Sequence, residues 1–181
     1  MSARIAPAQP PFAPEIQARL ERLTPPGTSP LVLFTTLARD PRLFERFMGG
    51  GLLDRGHLAL RDREIAILRT TARGGSEYEW GVHVAFFGER AAFDDAQVRA
   101  IVHDGPDAAV WSPAERAILR LCDALFAGTA IDDTQWAELR AHFAEEAVLE
   151  LLLLTGFYRT VSVLTGVLRL PLEPGAARFP T

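Results

Sequence analysis

The chain has 181 residues, of which 48% are hydrophobic and 23% charged, and a formal net charge of -4; this supports one domain with a sizeable core and excludes low-complexity, collagen-like and strongly basic nucleic-acid-binding classes. All 19 basic residues are Arg, so Schiff-base aldolase chemistry, a lysine-anchored pyridoxal phosphate and a P-loop are excluded, each needing an ε-amino group. With Cys122 as the single cysteine, an intrachain disulfide, a CxxC redox pair and a cysteine-built zinc site are also out of reach. The first 13 residues are Pro-rich, lack the continuous apolar run of a secretory signal, and read as a flexible arm. Residues 14–175 read as one helical domain and 176–181 as a tail.

Pro14 suits the first turn of a helix that Thr24-Pro25-Pro26-Gly27 stops. A short helix over Leu31–Ala38 follows, and Asp40-Pro41, a cap with proline behind it, starts another that ends at Gly49-Gly50-Gly51. The segment Arg61–Arg73 is closed by Gly74-Gly75. Ser76 opens the next helix, ending near Gly88, and Asp94 or Asp95 opens a short one ending near Gly105. Ser112-Pro113-Ala114-Glu115 is a capping box whose helix runs to Gly128. Asp132 or Asp133 starts a helix through His142, and Glu145 starts a long apolar one stopped by Pro171 and Pro174. No segment sustains β alternation, so the chain reads as an all-α, single-domain bundle of seven to nine helices. The apolar stretch Ala147–Leu170 is interrupted by Glu150, Arg159, Ser162 and Arg169, which favours a core or subunit-interface helix over a membrane span. Its excess of apolar surface points to a homo-oligomer. The single cysteine fits a reducing cytoplasm, and no nucleic-acid or membrane partner is expected.

Two neighbouring segments concentrate chemistry-bearing residues. On Arg61–Arg73, the face of Asp62, Ala66, Arg69 and Arg73 reads as solvated or as a salt-bridge lattice, whereas Glu64 lines up with Leu68 and Thr71 on an apolar face. A desolvated carboxylate suits holding or relaying a proton near neutrality, although from this helix alone pairing with an Arg of a neighbouring helix is the better account. In the next segment Glu79 and His83 are four residues apart and so adjacent on a helix, where a carboxylate can orient an imidazole and stabilise its charged form. Two structural roles compete: Ser76-x-x-Glu79 is itself a capping-box pattern, and His83 sits among Val82, Val84, Phe86 and Phe87 as a core histidine would. A Glu/His pair lacks enough ligands for a metal, and His57, His103 and His142 show no ligand spacing, so no metal is expected.

The strings Arg61-Asp-Arg-Glu64-Ile-Ala-Ile-Leu-Arg69 and Gly75-Ser-Glu-Tyr-Glu-Trp-Gly-Val-His83 resemble the signature of the carboxymuconolactone decarboxylase and alkyl hydroperoxidase D superfamily. The hydroperoxidase branch carries Glu, eleven residues, Cys, two residues, Cys, three residues, His, and Glu64, Ser76, Glu79 and His83 fall on those positions in register. The resemblance covers roughly residues 30–172 and implies an all-α, oligomeric protein of that fold. Both cysteines of the pattern are replaced, by Ser76 and Glu79, and neither a hydroxyl nor a carboxylate supports thiol peroxidase chemistry. What remains resembles the lyase branch, whose namesake reaction decarboxylates a cyclic dicarboxylate lactone without a cofactor. The resemblance therefore implies acid/base chemistry on a small carboxylated or carbonyl substrate, with Glu64, Glu79 and His83 catalytic. His83, oriented by Glu79, is the candidate acid, and Ser76 or Tyr78 a donor to the substrate oxygen. Arg61, Arg63 and Arg159 are candidates to hold an anionic group, Arg61 and Arg159 foremost. The competing reading is a non-catalytic or ligand-binding helical oligomer that has lost thiol chemistry.

Overall fold

Capping residues set most helix starts. Asp40, Ser76, Asp94, Ser112 and Asp132 each accept a hydrogen bond from the backbone N–H three residues on, satisfying a donor that the first helical turn leaves free. In the computed structural model, which describes residues 3–181, the order is α1 (Pro14–Leu23), α2 (Val32–Leu37), α3 (Pro41–Met48), α4 (Leu60–Arg73), α5 (Glu77–Phe87), α6 (Asp95–Val102), α7 (Pro113–Ala127), α8 (Asp133–Arg140) and α9 (Glu145–Leu168). A single 3-10 turn, Gly105–Asp107, separates α6 from α7. The described residues contain no strand, and the all-α expectation holds. The helix before Gly105 ends earlier than its sequence pattern suggests, at Val102, because this 3-10 turn takes over the chain.

The centre of the bundle is α4, packed by α5, α7 and α9. Every residue from Arg63 to Thr71 is buried, so a helix that reads as two-faced is enclosed on all sides. Its charged face forms a salt-bridge lattice that is buried at Arg69 and reaches solvent at Arg73. Arg69 forms a two-pronged pair with Asp123 of α7 (Nε to Oδ1 2.7 Å, Nη2 to Oδ2 2.8 Å) and donates from Nη1 to the Ile101 carbonyl at 2.6 Å. Pairing both prongs of the fork and the remaining nitrogen is what makes the buried guanidinium tolerable.

The long helix α9 meets the rest of the molecule through Leu151, Leu154, Tyr158, Val161, Ser162 and Thr165. Gly74 allows part of this approach: a Cβ there would stand 2.6 Å from the Ser162 Cβ. By length and composition α9 is apolar enough to cross a membrane, but its inner face belongs to the main core. Its outer face leaves Leu149, Leu153, Val163 and Val167 exposed.

A second small core joins α1 to α3 through Ile16, Leu20 and Phe44. The chain ends also lie along the bundle, and of the expected arm Met1 and Ser2 fall outside the described residues. The Arg4 N–H donates to the Leu168 carbonyl and that of Ala8 to Thr35, both near 3 Å. At the other end, the Ala177 N–H donates to the Gly81 carbonyl. The Phe179 ring packs on Trp80 with centroids 5.1 Å apart.

Candidate active site

Glu64 points inward from α4 because that helix has no exposed side to offer it, and it is fully buried. Its two oxygens are divided. Oε1 accepts from Arg63 Nε and Nη2 at 3.1 and 3.0 Å. Oε2 stands 2.7 Å from His83 Nδ1 on α5. The other ring nitrogen, Nε2, is 3.5 Å from Glu79 Oε1, an ion-pair distance longer than a good hydrogen bond. The imidazole is thus anchored on one side and only loosely engaged on the other. Tyr158 of α9 meets the ring edge-on (5.1 Å, 89°), and Phe87 lies tilted beside it at 5.3 Å.

Burial alone would push the His83 imidazolium toward neutrality, but hydrogen bonds and charge from Glu64 and Glu79 outweigh it and hold the group up at about 9. At neutral pH His83 is therefore held as the imidazolium, with the Glu64 and Glu79 carboxyl groups on its two nitrogens. Burial raises the Tyr158 phenol well above its usual range, with the two carboxylates adding to the effect. Because the two carboxylates take opposite sides of the ring, they share no common point at which a metal would find both.

The side of the cluster bearing Glu79 and His83 opens on a pocket of about 1060 Å³. Its walls are mainly apolar, with Phe34, Phe47, Phe86, Phe87, Phe157 and Tyr158 contributed by four helices. Glu79 Oε2 is enclosed and has no hydrogen-bond partner among the described residues.

The structure brings Glu64, Glu79 and His83 together, with one change of role. The close partner of His83 is Glu64, nineteen residues away on another helix, rather than the i,i+4 neighbour Glu79. Half of the anticipated capping box forms: Ser76 Oγ accepts from the Glu79 N–H at 3.3 Å, while the Glu79 carboxylate turns to His83. Ser76 is 2.7 Å from Thr165 Oγ1 and does not border the pocket. Tyr78 does not border it either; its hydroxyl accepts from the Leu33 N–H and donates to Glu173. Arg61 pairs with Glu115 and caps the Ala91 and Ala92 carbonyls. Arg159 donates to the Leu125 carbonyl and lines a separate cavity of about 340 Å³ between α7 and α9. Of the three arginines considered, Arg63 is the one in the cluster, where it also donates to the Leu53 carbonyl at 3.0 Å and lies over the Phe87 ring. Its neighbour in sequence, Glu64, is what holds it there. The aromatic walls escape sequence reading because they come from segments as distant as Phe34 and Phe157.

Residues 41–124 match the Carboxymuconolactone decarboxylase family. Over nearly its whole length the fold is that of a peroxidase-related protein from Silicibacter sp. TM1040, at TM-score 0.83 and 17% identity, with 99% of this chain and 96% of that one covered. The segment 41–124 is thus similar to that family, and the fold as a whole is of the alkyl hydroperoxidase D-like type. An alkylhydroperoxidase core protein from Ralstonia eutropha JMP134 is similar at TM-score 0.80 and 19% identity, with 95% and 94% covered. The debrominase Bmp8, in a cysteine-to-alanine variant in complex with 2,3,4-tribromopyrrole, is similar at TM-score 0.76 and 18% identity, covering 97% of this chain and 94% of that one. No curated protein matches the sequence. The one thiol in this chain, Cys122, is fully buried on α7, 3.7 Å from the Ala66 carbonyl, and burial pushes it up to about 11. A group so protonated at neutral pH is a poor nucleophile.

Proposed function

We propose that the chain is a cofactor-free acid/base enzyme, carboxymuconolactone decarboxylase-like in its chemistry, acting on a small ring compound that carries a carboxylate, lactone or other carbonyl group. The observation that carries this reading is the asymmetry of His83: Nδ1 is fixed by Glu64 at 2.7 Å, while Nε2 is engaged only at 3.5 Å by Glu79, and His83 and Glu79, whose second oxygen has no partner among the described residues, both line the pocket. A histidine kept protonated and oriented on one side can deliver a proton from the other.

In a decarboxylation the C–C bond breaks, its electron pair stays on the substrate as an enolate-like carbanion, and carbon dioxide leaves. His83 Nε2–H gives its proton to that carbon, and one proton taken up from bulk solvent on the Glu79 side restores the imidazolium, so each turnover consumes one proton. Glu64 stays bonded to Nδ1 and stabilises the imidazolium, so it is a positioning residue. The same arrangement serves any proton transfer next to a carbonyl. A pocket with aromatic walls suits a flat ring, and a halogenated pyrrole bound by a protein of this fold is in keeping with that.

Screening lactones, keto acids and unsaturated ring acids for turnover is the first step. On any substrate found, His83→Ala should lower kcat by about 10²–10⁴-fold, and Glu79→Gln should also lower it. The rate should fall as pH rises through about 9, where His83 loses its proton. Unchanged turnover in His83→Ala would end the proposal. The alternative, a non-catalytic ligand-binding protein, draws on the mutual pairing of Arg63, Glu64 and His83, and predicts loss of stability in Glu64→Gln with no compound turned over.

A further inference from the structure

The pocket beside His83 contains a second enclosed polar atom without a partner. Ile16 and Leu20 seat α1 on Phe44 of α3, and Arg19 and Leu23, on the adjoining part of the same helical face, then border the pocket that holds Glu79 and His83. Arg19 Nε is shielded from water and meets no acceptor among the described residues. A buried donor in that state is costly to keep, and an acceptor brought by a ligand removes the cost. Arg19 is also the one arginine on the pocket wall.

The acids on the same wall do not answer it. Glu173 accepts from the Tyr78 hydroxyl and the Val32 N–H, Glu79 faces His83, and Asp54 is exposed. Phe34, Phe47 and Phe157 line the pocket with them. The wall therefore offers a guanidinium donor, aromatic surface and a proton-transfer pair.

We propose that Arg19 anchors the carboxylate of an amphiphilic substrate, a ring-bearing acid whose apolar body lies against the phenylalanines and whose reacting carbon, separate from that carboxylate, is presented to His83. This rests on the reading of the pocket as the substrate site. It assigns to α1 a specificity role that the motif on α4 and α5 does not carry.

Calorimetric titration of the full chain at pH 7 with 2-naphthoate and its neutral counterpart 2-naphthamide tests the anchor without needing turnover. The acid should bind about tenfold more tightly than the amide, as expected for a charge-assisted pair in an enclosed site. Arg19→Gln should erase that preference while leaving the amide's affinity within about twofold, and Arg19→Lys should keep part of it, with far-UV circular dichroism confirming that both variants are folded. His83→Ala should retain the preference. Equal binding of the two compounds, no binding of either at millimolar concentration, or a preference that survives Arg19→Gln and disappears in His83→Ala would each overturn the assignment. The two proposals fail separately. A preserved acid preference with no compound turned over leaves the anchor standing and removes the catalytic reading. Turnover of acids unaffected by Arg19→Gln does the reverse.

Discussion

Replacing Glu64 with Gln keeps the size of the side chain and an oxygen to accept from His83 Nδ1, and removes only the charge. The consequence follows from the cause of the high His83 value. Burial pulls that value down and the two carboxylates pull it up. With Glu64 neutral, the remaining support is Glu79 at 3.5 Å, so the imidazolium should lose its proton at about 7 or below. The interval between the ordinary value of 6.5 and about 9 corresponds to roughly 3 kcal/mol of native-state stabilisation, and the ring is enclosed, so solvent screening takes little of it. Because the native value lies above the unfolded one, this contribution is fully present below pH 6.5 and is lost as pH rises through about 9. Urea unfolding at pH 6 and pH 9.5 should therefore show the wild type losing about 3 kcal/mol more than Glu64→Gln over that interval. Other titrating groups, Cys122 included, are common to both proteins and cancel in the difference. Ring signals of ¹⁵N-labelled histidine give the His83 value directly. Parallel stability curves within about 0.5 kcal/mol, or a wild-type His83 titrating near 6.5, would refute the reasoning.

Asp123→Ala should leave Arg69 buried against Ile101 without its carboxylate and cost about 3 kcal/mol in denaturant unfolding, the low end for a broken buried pair because Asp123 is partly exposed; a loss under about 1 kcal/mol would mean that water replaces the partner. Gly81→Ala should lift the C-terminal segment from α5, since the new Cβ would stand 2.2 Å from the Ala177 backbone oxygen. Faster proteolysis after Arg178 and a change in Trp80 emission would report it, and an unchanged digestion pattern would contradict the docking of that segment. The outer face of α9, where Leu149 is 61% and Leu153 65% exposed, is expected to be covered by a second copy of the chain. Light scattering should give an oligomer that Leu149→Glu with Leu153→Glu reduces to monomer, and a wild-type monomer at micromolar concentration would count against it.

The helix order was legible because its punctuation is local: a cap such as Ser112 with Glu115, or a stop such as Gly128 in the left-handed conformation at φ 75°, is written within a few residues. The burial of α4 was not, since Arg63 and Arg69 make a helical wheel look half solvated, and Asp123, which pairs with Arg69, is recognised as its partner only when α7 is in place. The same limit explains His83. Spacing within α5 predicts its contact with Glu79, whereas the shorter contact with Glu64 crosses between helices and was accessible only through the spacing pattern of a family. Arg19 lies outside that pattern and had no sequence signal.

The fate of the two replaced cysteine positions shows how unevenly a motif can be rewritten. Ser76 is drawn into the backbone, capping α5 and bonding Thr165, where its hydroxyl serves the helix junction. Glu79, three residues on, keeps its carboxylate beside the imidazole, with one oxygen uncommitted. A cysteine pair needs both sulfurs within reach of each other, but proton transfer needs one carboxylate beside one histidine. If the proposed acid/base reading holds, the first position serves structure and the second serves the histidine, so a Ser76→Ala change should be felt first in stability and Glu79→Gln first in turnover.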